Sequence, residues 1–251
     1  MHGTTAITAI TAQNTVGVSA IHPVPPEIIL AQVRAVVDDI GVDAVKVGML
    51  GTAETVRTVA RALEELPVGT PVVVDPVMVA ESGARLLDRD AEQALIEQIL
   101  PRATVITPNL PEARVLAGRA QAAPSDAPHS DEEEQAEAEA LARELLTLGP
   151  RSVLITGGHR ARAVDLLLDG EGDGRPVMIE GERHPDGAAH GSGCTHSSLL
   201  AAQLALGRPL LEAARTARAL SADAVARGLR SLGAGPGPVD VLDLLRMPRL
   251  P

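Results

Sequence analysis

The chain has 251 residues, 33 acidic against 22 basic side chains, a formal net charge of -11, and no Phe, Tyr or Trp. That acidity excludes nucleic acid and anionic membrane as main partners. No apolar run approaches the roughly 20 residues of a membrane span and no signal peptide is visible at Met1, so a cytoplasmic protein is expected. A single cysteine excludes an internal disulfide and any Cys-rich metal site, while 45% hydrophobic residues allow a sizeable core. Lys46 is the only lysine, which reads as a coding bias towards arginine.

In chain order, residues 4–11, "TTAITAIT", are β-branched and apolar and read as a buried strand. "VPPEIILAQVRAVVDDIG" opens on prolines suited to a helix start and closes at Gly41, which gives a helix of about 14 residues. "DAVKVGML" reads as a buried strand, and "TAETVRTVARALEEL" as a helix capped by Thr52. "PVVVDPVM" is a strand ending at Asp75, "RDAEQALIEQIL" a helix, "ATVITPN" a strand and "LPEARVLAG" a short helix. Residues 119–131 read as a loop, and Ser130 with Glu133 forms a capping-box pattern opening an acidic helix. "SVLITGG" is a further strand, and "AVDLLLDG" with "RPVMIEGERH" an antiparallel pair near the sheet edge. Helices are expected at about 194–206, 209–230 and 239–246. The alternation predicts an α/β fold, with a mostly parallel central sheet covered by helices on both faces.

In such a sheet, ligands bind beyond the carboxyl ends of the strands. The polar residues at those ends are Gln13 and Asn14, Asp75, Asn109 and Glu112, and Thr156-Gly157-Gly158. The loop "HGSGCTHSS" holds the only cysteine, Cys194, at the start of an apolar helix. Gly191 and Gly193 let the backbone turn its N–H groups inward, and the helix adds its positive end, which makes an anion cradle. A thiol at that position is expected to have a lowered pKa and to serve as a base beside a substrate hydroxyl. The competing reading makes Cys194 a small core filler at a tight turn.

The ordered stretches "TAITAITAQNT", "KVGMLG", "VVVDPVM", "ESGARLL", "VITPNLPEA", "GGH" and "HGSGCTHSSLLAAQLA" closely resemble the hydroxymethylpyrimidine/phosphomethylpyrimidine kinases of thiamine biosynthesis, within the ribokinase superfamily. The resemblance covers nearly the whole chain and implies one ribokinase-like domain over residues 1–251. It implies ATP and Mg²⁺ as cofactors, with an aminopyrimidine alcohol and its monophosphate as small-molecule substrates. It places Cys194 beside the reacting hydroxymethyl group, with Gly191, Ser192 and Gly193 completing the anion hole. Gln13 matches the pyrimidine-binding glutamine, whose amide both donates and accepts. Met49 and Met78 are expected to line the pyrimidine pocket, and Thr156, Gly158 and Thr195 to meet the nucleotide. Asp75 and Glu112 supply the hard oxygen ligands that Mg²⁺ requires. A homodimer is expected.

The sequence departs from the family in two places. Thr156 stands where the family usually has a lysine before Gly-Gly-His, and a hydroxyl brings no charge to the nucleotide phosphates. The family also begins with a strand and a Gly/Ser/Asp-rich loop, whereas here Met1-His2-Gly3 leads directly into Thr4. The expectation is therefore that the N-terminal βα unit is missing and that the reading frame continues upstream. Two alternatives follow: a pyridoxal (vitamin B6) kinase acting by the same hydroxymethyl chemistry, and a non-catalytic ligand-binding remnant.

Overall fold

A computed structural model describes residues 2–79, 86–119, 130–158, 163–184 and 187–243. The "ESGAR" segment, residues 120–129 of the expected loop, His159 of "GGH" and residues 244–246 of the last expected helix lie outside these.

The first two strands, β1 (Ala9–Gln13) and β2 (Val18–Pro23), form an antiparallel hairpin separate from the main sheet. This corrects the expected buried strand over residues 4–11. The side chain of Asn14 accepts from the N–H groups of Val16 and Gly17, at 3.0 and 3.1 Å. That local turn folds the chain back on itself before it can enter the sheet. Ile10 is 59% exposed as a result.

Helix α1 (Pro26–Asp39) then runs for the expected 14 residues, with proline in its first turn. Strand β3 (Val45–Val47) leads to α2 (Ala53–Glu64), whose cap Thr52 accepts the Thr55 N–H at 3.2 Å. Thr55, Val56, Val59, Ala60 and Ala62 turn inward at helical spacing. Next come β4 (Val72–Val74), α3 (Arg89–Gln98), β5 (Val105–Ile106) and α4 (Leu110–Leu116). Helix α5 (Asp131–Leu146) opens on the Ser130–Glu133 capping box. Then follow β6 (Ser152–Ile155), β7 (Val164–Asp169) and β8 (Val177–Glu180), and finally α6 (Ser192–Ala205) and α7 (Leu210–Ala226). The helix expected from 239 does not form over residues 239–243, where the chain bends after a bridge between His190 and Pro238.

The main sheet runs β3-β4-β5-β6-β7-β8, parallel from β3 to β6 and antiparallel from β6 to β8. Its two faces follow the period of two along each strand. Val72 and Val74 pack with Val56, Leu95 and Leu141 on one side, whereas Val73 packs with Leu200, Ala213 and Ala217 on the other. Small residues on α7 let it lie close against α6 and the sheet. With no aromatic ring available, both layers are filled by Leu, Ile, Val, Ala and Met. Each fully buried Leu or Ile contributes roughly 1.5–3 kcal/mol. Among the described residues β3 is one of the two outer strands of this sheet, and a groove of about 570 Å³ runs along it, lined by Val33, Val36, Val45, Lys46, Met49 and Ser198.

Candidate active site

The carboxyl ends of β4 and β5 and the start of α6 converge on one cluster. Asp75 follows β4 and is 6% exposed. Its Oδ2 accepts the Ser197 hydroxyl at 2.9 Å and lies 3.3 Å from Lys46 Nζ. Glu112 is held by a capping box at the start of α4. Its Oε2 accepts the Asn109 N–H at 2.9 Å, and its own N–H donates to Asn109 Oδ1 at 2.9 Å. Burial pushes the Glu112 carboxyl up to about 7; the Asn109 N–H restrains that rise, Asp75 adds to it and the Met78 N–H opposes it.

Gly191 caps α6 with φ of +84°, a left-handed geometry that glycine adopts without strain. The Ser192 N–H is taken by Ala189 O at 2.9 Å, so the first-turn amides that a helix leaves without internal acceptors are those of Gly193 and Cys194. Open space lies above Gly193. The cradle loop is clasped from behind, where His190 N–H donates to Gly237 O at 3.2 Å and Val239 N–H to His190 O at 3.1 Å.

Cys194 is exposed at the rim of this cradle. The expected lowering of its pKa is overturned. Protein crowding around the thiol raises it, Lys46 opposes the rise, and the carboxylates of Asp75 and Glu112 push it further up. That crowding, which buries the thiol, is the largest cause, and the two acids from other elements add to it.

Gln13 ends β1 on the exposed hairpin. Two residues on, Thr15 Oγ1 accepts the Gly235 N–H at 3.2 Å, which carries the hairpin turn to the segment clasping the cradle. Met49 is half-buried beside Lys46 in the groove, whereas Met78 is 3% exposed and packs in the core. Thr156 pairs with the strand-end Asn109, its N–H donating to Pro108 O at 2.9 Å, and Gly158 is exposed. Thr195 follows Cys194 in the first turn of α6. A cavity of about 610 Å³, lined by Ile179, Glu180, His184, Arg215, Arg218 and Ala222, opens between β8 and α7.

Two members of the cluster are not evident from the sequence. Lys46 reads there as compositional, although an ammonium inside a valine strand needs a paired carboxylate. Ser197 lies one turn beyond the cradle and gives no local sign that it reaches Asp75. The two carboxylates form a hard-oxygen pair of the kind that binds Mg²⁺ together with substrate phosphates. Among the described residues no group of three or more His, Cys, Asp or Glu forms a larger metal cluster.

The family model for phosphomethylpyrimidine kinase matches residues 1–240. The chain is 42% identical over 241 residues to the hydroxymethylpyrimidine/phosphomethylpyrimidine kinase of Haemophilus influenzae, covering 95% of this chain and 85% of that one. Its fold matches the crystal structure of phosphomethylpyrimidine kinase from Clostridium difficile, with TM-score 0.69, 35% identity, and 86% and 84% of the two chains covered. It also matches the pyridoxal kinase of Staphylococcus aureus in complex with ADP, with TM-score 0.79, 31% identity, and 96% and 83% covered. The converging strand ends, the glycine-capped cradle and these likenesses agree: the chain is a ribokinase-like phosphotransferase and belongs to the phosphomethylpyrimidine kinase family.

Proposed function

We propose that this kinase transfers the γ-phosphoryl group of ATP to the hydroxymethyl oxygen of 4-amino-5-hydroxymethyl-2-methylpyrimidine, and then phosphorylates the monophosphate. The observation that carries the reading is the convergence of Lys46, Asp75, Glu112 and Cys194 around the start of α6. Phosphoryl transfer asks mainly for positioning and charge neutralisation. The amides of Gly193 and Cys194 meet the phosphoryl oxygens as charge builds on them, and Gly191 and Ser192 hold the turn that aims them. Cys194 stands beside the hydroxyl, and its thiolate, the minor form at neutral pH, accepts the hydroxyl proton as the new P–O bond forms and ADP departs. Asp75 and Glu112 would hold Mg²⁺, which would neutralise phosphate charge. Gln13 reads the amino edge of the pyrimidine, Met49 lines its pocket and Met78 backs it from the core. Thr156, Gly158 and Thr195 face the nucleotide phosphates, and the cavity beside Arg218 takes the base.

A second substrate, pyridoxal, is favoured by the likeness to the S. aureus pyridoxal kinase. The experiment is to offer both alcohols with Mg-ATP. Preferential turnover of the pyrimidine supports the first reading and preferential turnover of pyridoxal the second. Binding without turnover of either supports the ligand-binding remnant. The enzyme is read as one domain over residues 1–251, cytoplasmic and homodimeric; no helix among the described residues is long and apolar enough to cross a membrane.

A further inference from the structure

A second ionic group lies away from the Asp75 cluster, buried where four elements meet. Asp165 of β7 is 1% exposed, and its Oδ1 accepts the Gly157 N–H at 2.7 Å, in the middle of the Thr156–Gly158 turn. Its Oδ2 lies 3.3 Å from Nε2 of His196, a 5% exposed side chain one turn into α6. Arg218 of α7 brings Nε within 3.8 Å of Oδ1 and donates from Nη2 to Ala163 O at 2.7 Å. Burial opposes ionisation of Asp165, but His196, Arg218 and the Gly157 N–H outweigh it and lower its pKa. The His196–Asp165 approach is close enough for ionic contact and misaligned for a hydrogen bond, so Oδ2 and both imidazole nitrogens are buried without hydrogen-bond partners. Buried polar atoms in that state are rare and call for an explanation. An apolar side chain at position 196 would avoid two stranded nitrogens, but it would leave the buried Asp165 Oδ2 with no group facing it.

The geometry points to His196 and Asp165 as positioning residues that set the Thr156–Gly158 turn against the first turn of α6. Through Asp165, the turn assigned to the nucleotide phosphates and the helix that carries the phosphoryl cradle share one support. Arg218 extends that support to the wall of the 610 Å³ cavity. The pair touches neither substrate; it acts through the Gly157 backbone on the donor and through α6 on the cradle. Its effect therefore belongs to the ATP side of the reaction, and the inference rests on the ATP-dependent reading above.

The test compares the parent chain with His196→Leu, His196→Gln and Asp165→Asn. In each, KM for ATP and for the pyrimidine alcohol are measured, together with the ADP-induced shift in melting temperature. His196→Leu is expected to raise KM for ATP about 5- to 10-fold, reduce the ADP-induced shift and leave KM for the alcohol unchanged. His196→Gln places an amide nitrogen near the site of Nε2 and should recover most of the loss. An unchanged KM for ATP in His196→Leu overturns the inference. So does a fall in active fraction and melting temperature with neither KM changed, because that is the mark of packing alone. Should His196→Leu fail to fold, Asp165→Asn is expected to show the same split between the two KM values, and an unchanged KM for ATP there overturns the inference equally. Failure of the functional reading looks different: the parent itself then shows no ATP-dependent turnover.

Discussion

Lys46 Nζ lies 3.3 Å from Asp75 Oδ2, so the only lysine of the chain neutralises one of the two acids facing the cradle. Removing one partner of a buried pair costs roughly 3–5 kcal/mol. Here Lys46 is 19% exposed and Asp75 keeps the Ser197 hydroxyl, so Lys46→Met should cost about 2–3 kcal/mol, below that range. Added Mg²⁺ should recover part of the loss, which urea unfolding with and without the ion will show. Gly48→Ala gives an independent check. A methyl at Gly48 would lie 2.6 Å from Lys46 Nζ, so the chain should fold while the ammonium swings away. Kinase activity should then fall with only a small loss of stability.

Cys194 is the only thiol, which makes its ionisation directly readable. Because its pKa is raised, alkylation by iodoacetamide should be slow at pH 7 and climb only at a higher pH than for an ordinary cysteine. Asp75→Asn removes one of the charges that hold the thiol neutral and should move that climb to lower pH. Cys194→Ala should reduce kcat by about 10²-fold or more with the fold intact, the scale of a lost proton acceptor. Turnover near the parent rate would leave Cys194 as packing alone.

Glu112 sets a pH dependence of stability. Its folded pKa of about 7 lies above the ordinary 4.5, so the native state binds this proton more tightly than the unfolded chain. Its contribution is fully present below pH 4.5 and is lost as pH rises through 7. Without Mg²⁺ the parent should therefore lose up to about 3 kcal/mol relative to Glu112→Gln between pH 4.5 and 8, less where solvent reaches the carboxylate. Chemical denaturation in chelator across that range is the measurement. Parallel curves for the two proteins would show that the Glu112 carboxyl titrates normally.

Gln13→Leu should raise KM for the pyrimidine by the equivalent of roughly 1–3 kcal/mol, a factor of about 5 to 150, and leave KM for ATP unchanged. Steady-state kinetics with each substrate varied in turn separates the two. A rise confined to ATP would move the pyrimidine away from the hairpin.

What the sequence made legible was mostly local. Thr52 announces α2, and the capping boxes of Asn109 with Glu112 and Ser130 with Glu133 announce α4 and α5, because donor and acceptor lie three residues apart. The parallel strands were legible as apolar runs between helices. The β1–β2 hairpin was not, because "TTAITAIT" has the composition of a buried strand, and only the Asn14 turn says that it pairs with the residues that follow. Residues 239–243 showed an apolar pattern, but the bridge at Pro238 and the contact of Val239 with His190 hold them out of a helix. In the site, Asp75, Glu112 and Cys194 could be read at their strand and helix ends, but not Lys46 and Ser197, nor the charges they bring together. Burial of the thiol, reinforced by Asp75 and Glu112 against Lys46, reverses the ionisation expected of Cys194, and all three charges come from other elements.

The all-aliphatic filling of both layers makes the protein optically silent where aromatic side chains normally absorb and fluoresce. A bound pyrimidine, pyridoxal or adenine ring is then the sole near-ultraviolet chromophore of the complex. Its absorbance change or induced circular dichroism on binding needs no correction for protein signal. Occupancy of the proposed pyrimidine site and of the cavity proposed for the nucleotide can be followed separately by choosing which ring is added first. Each variant described above can thus be titrated without a label and without turnover.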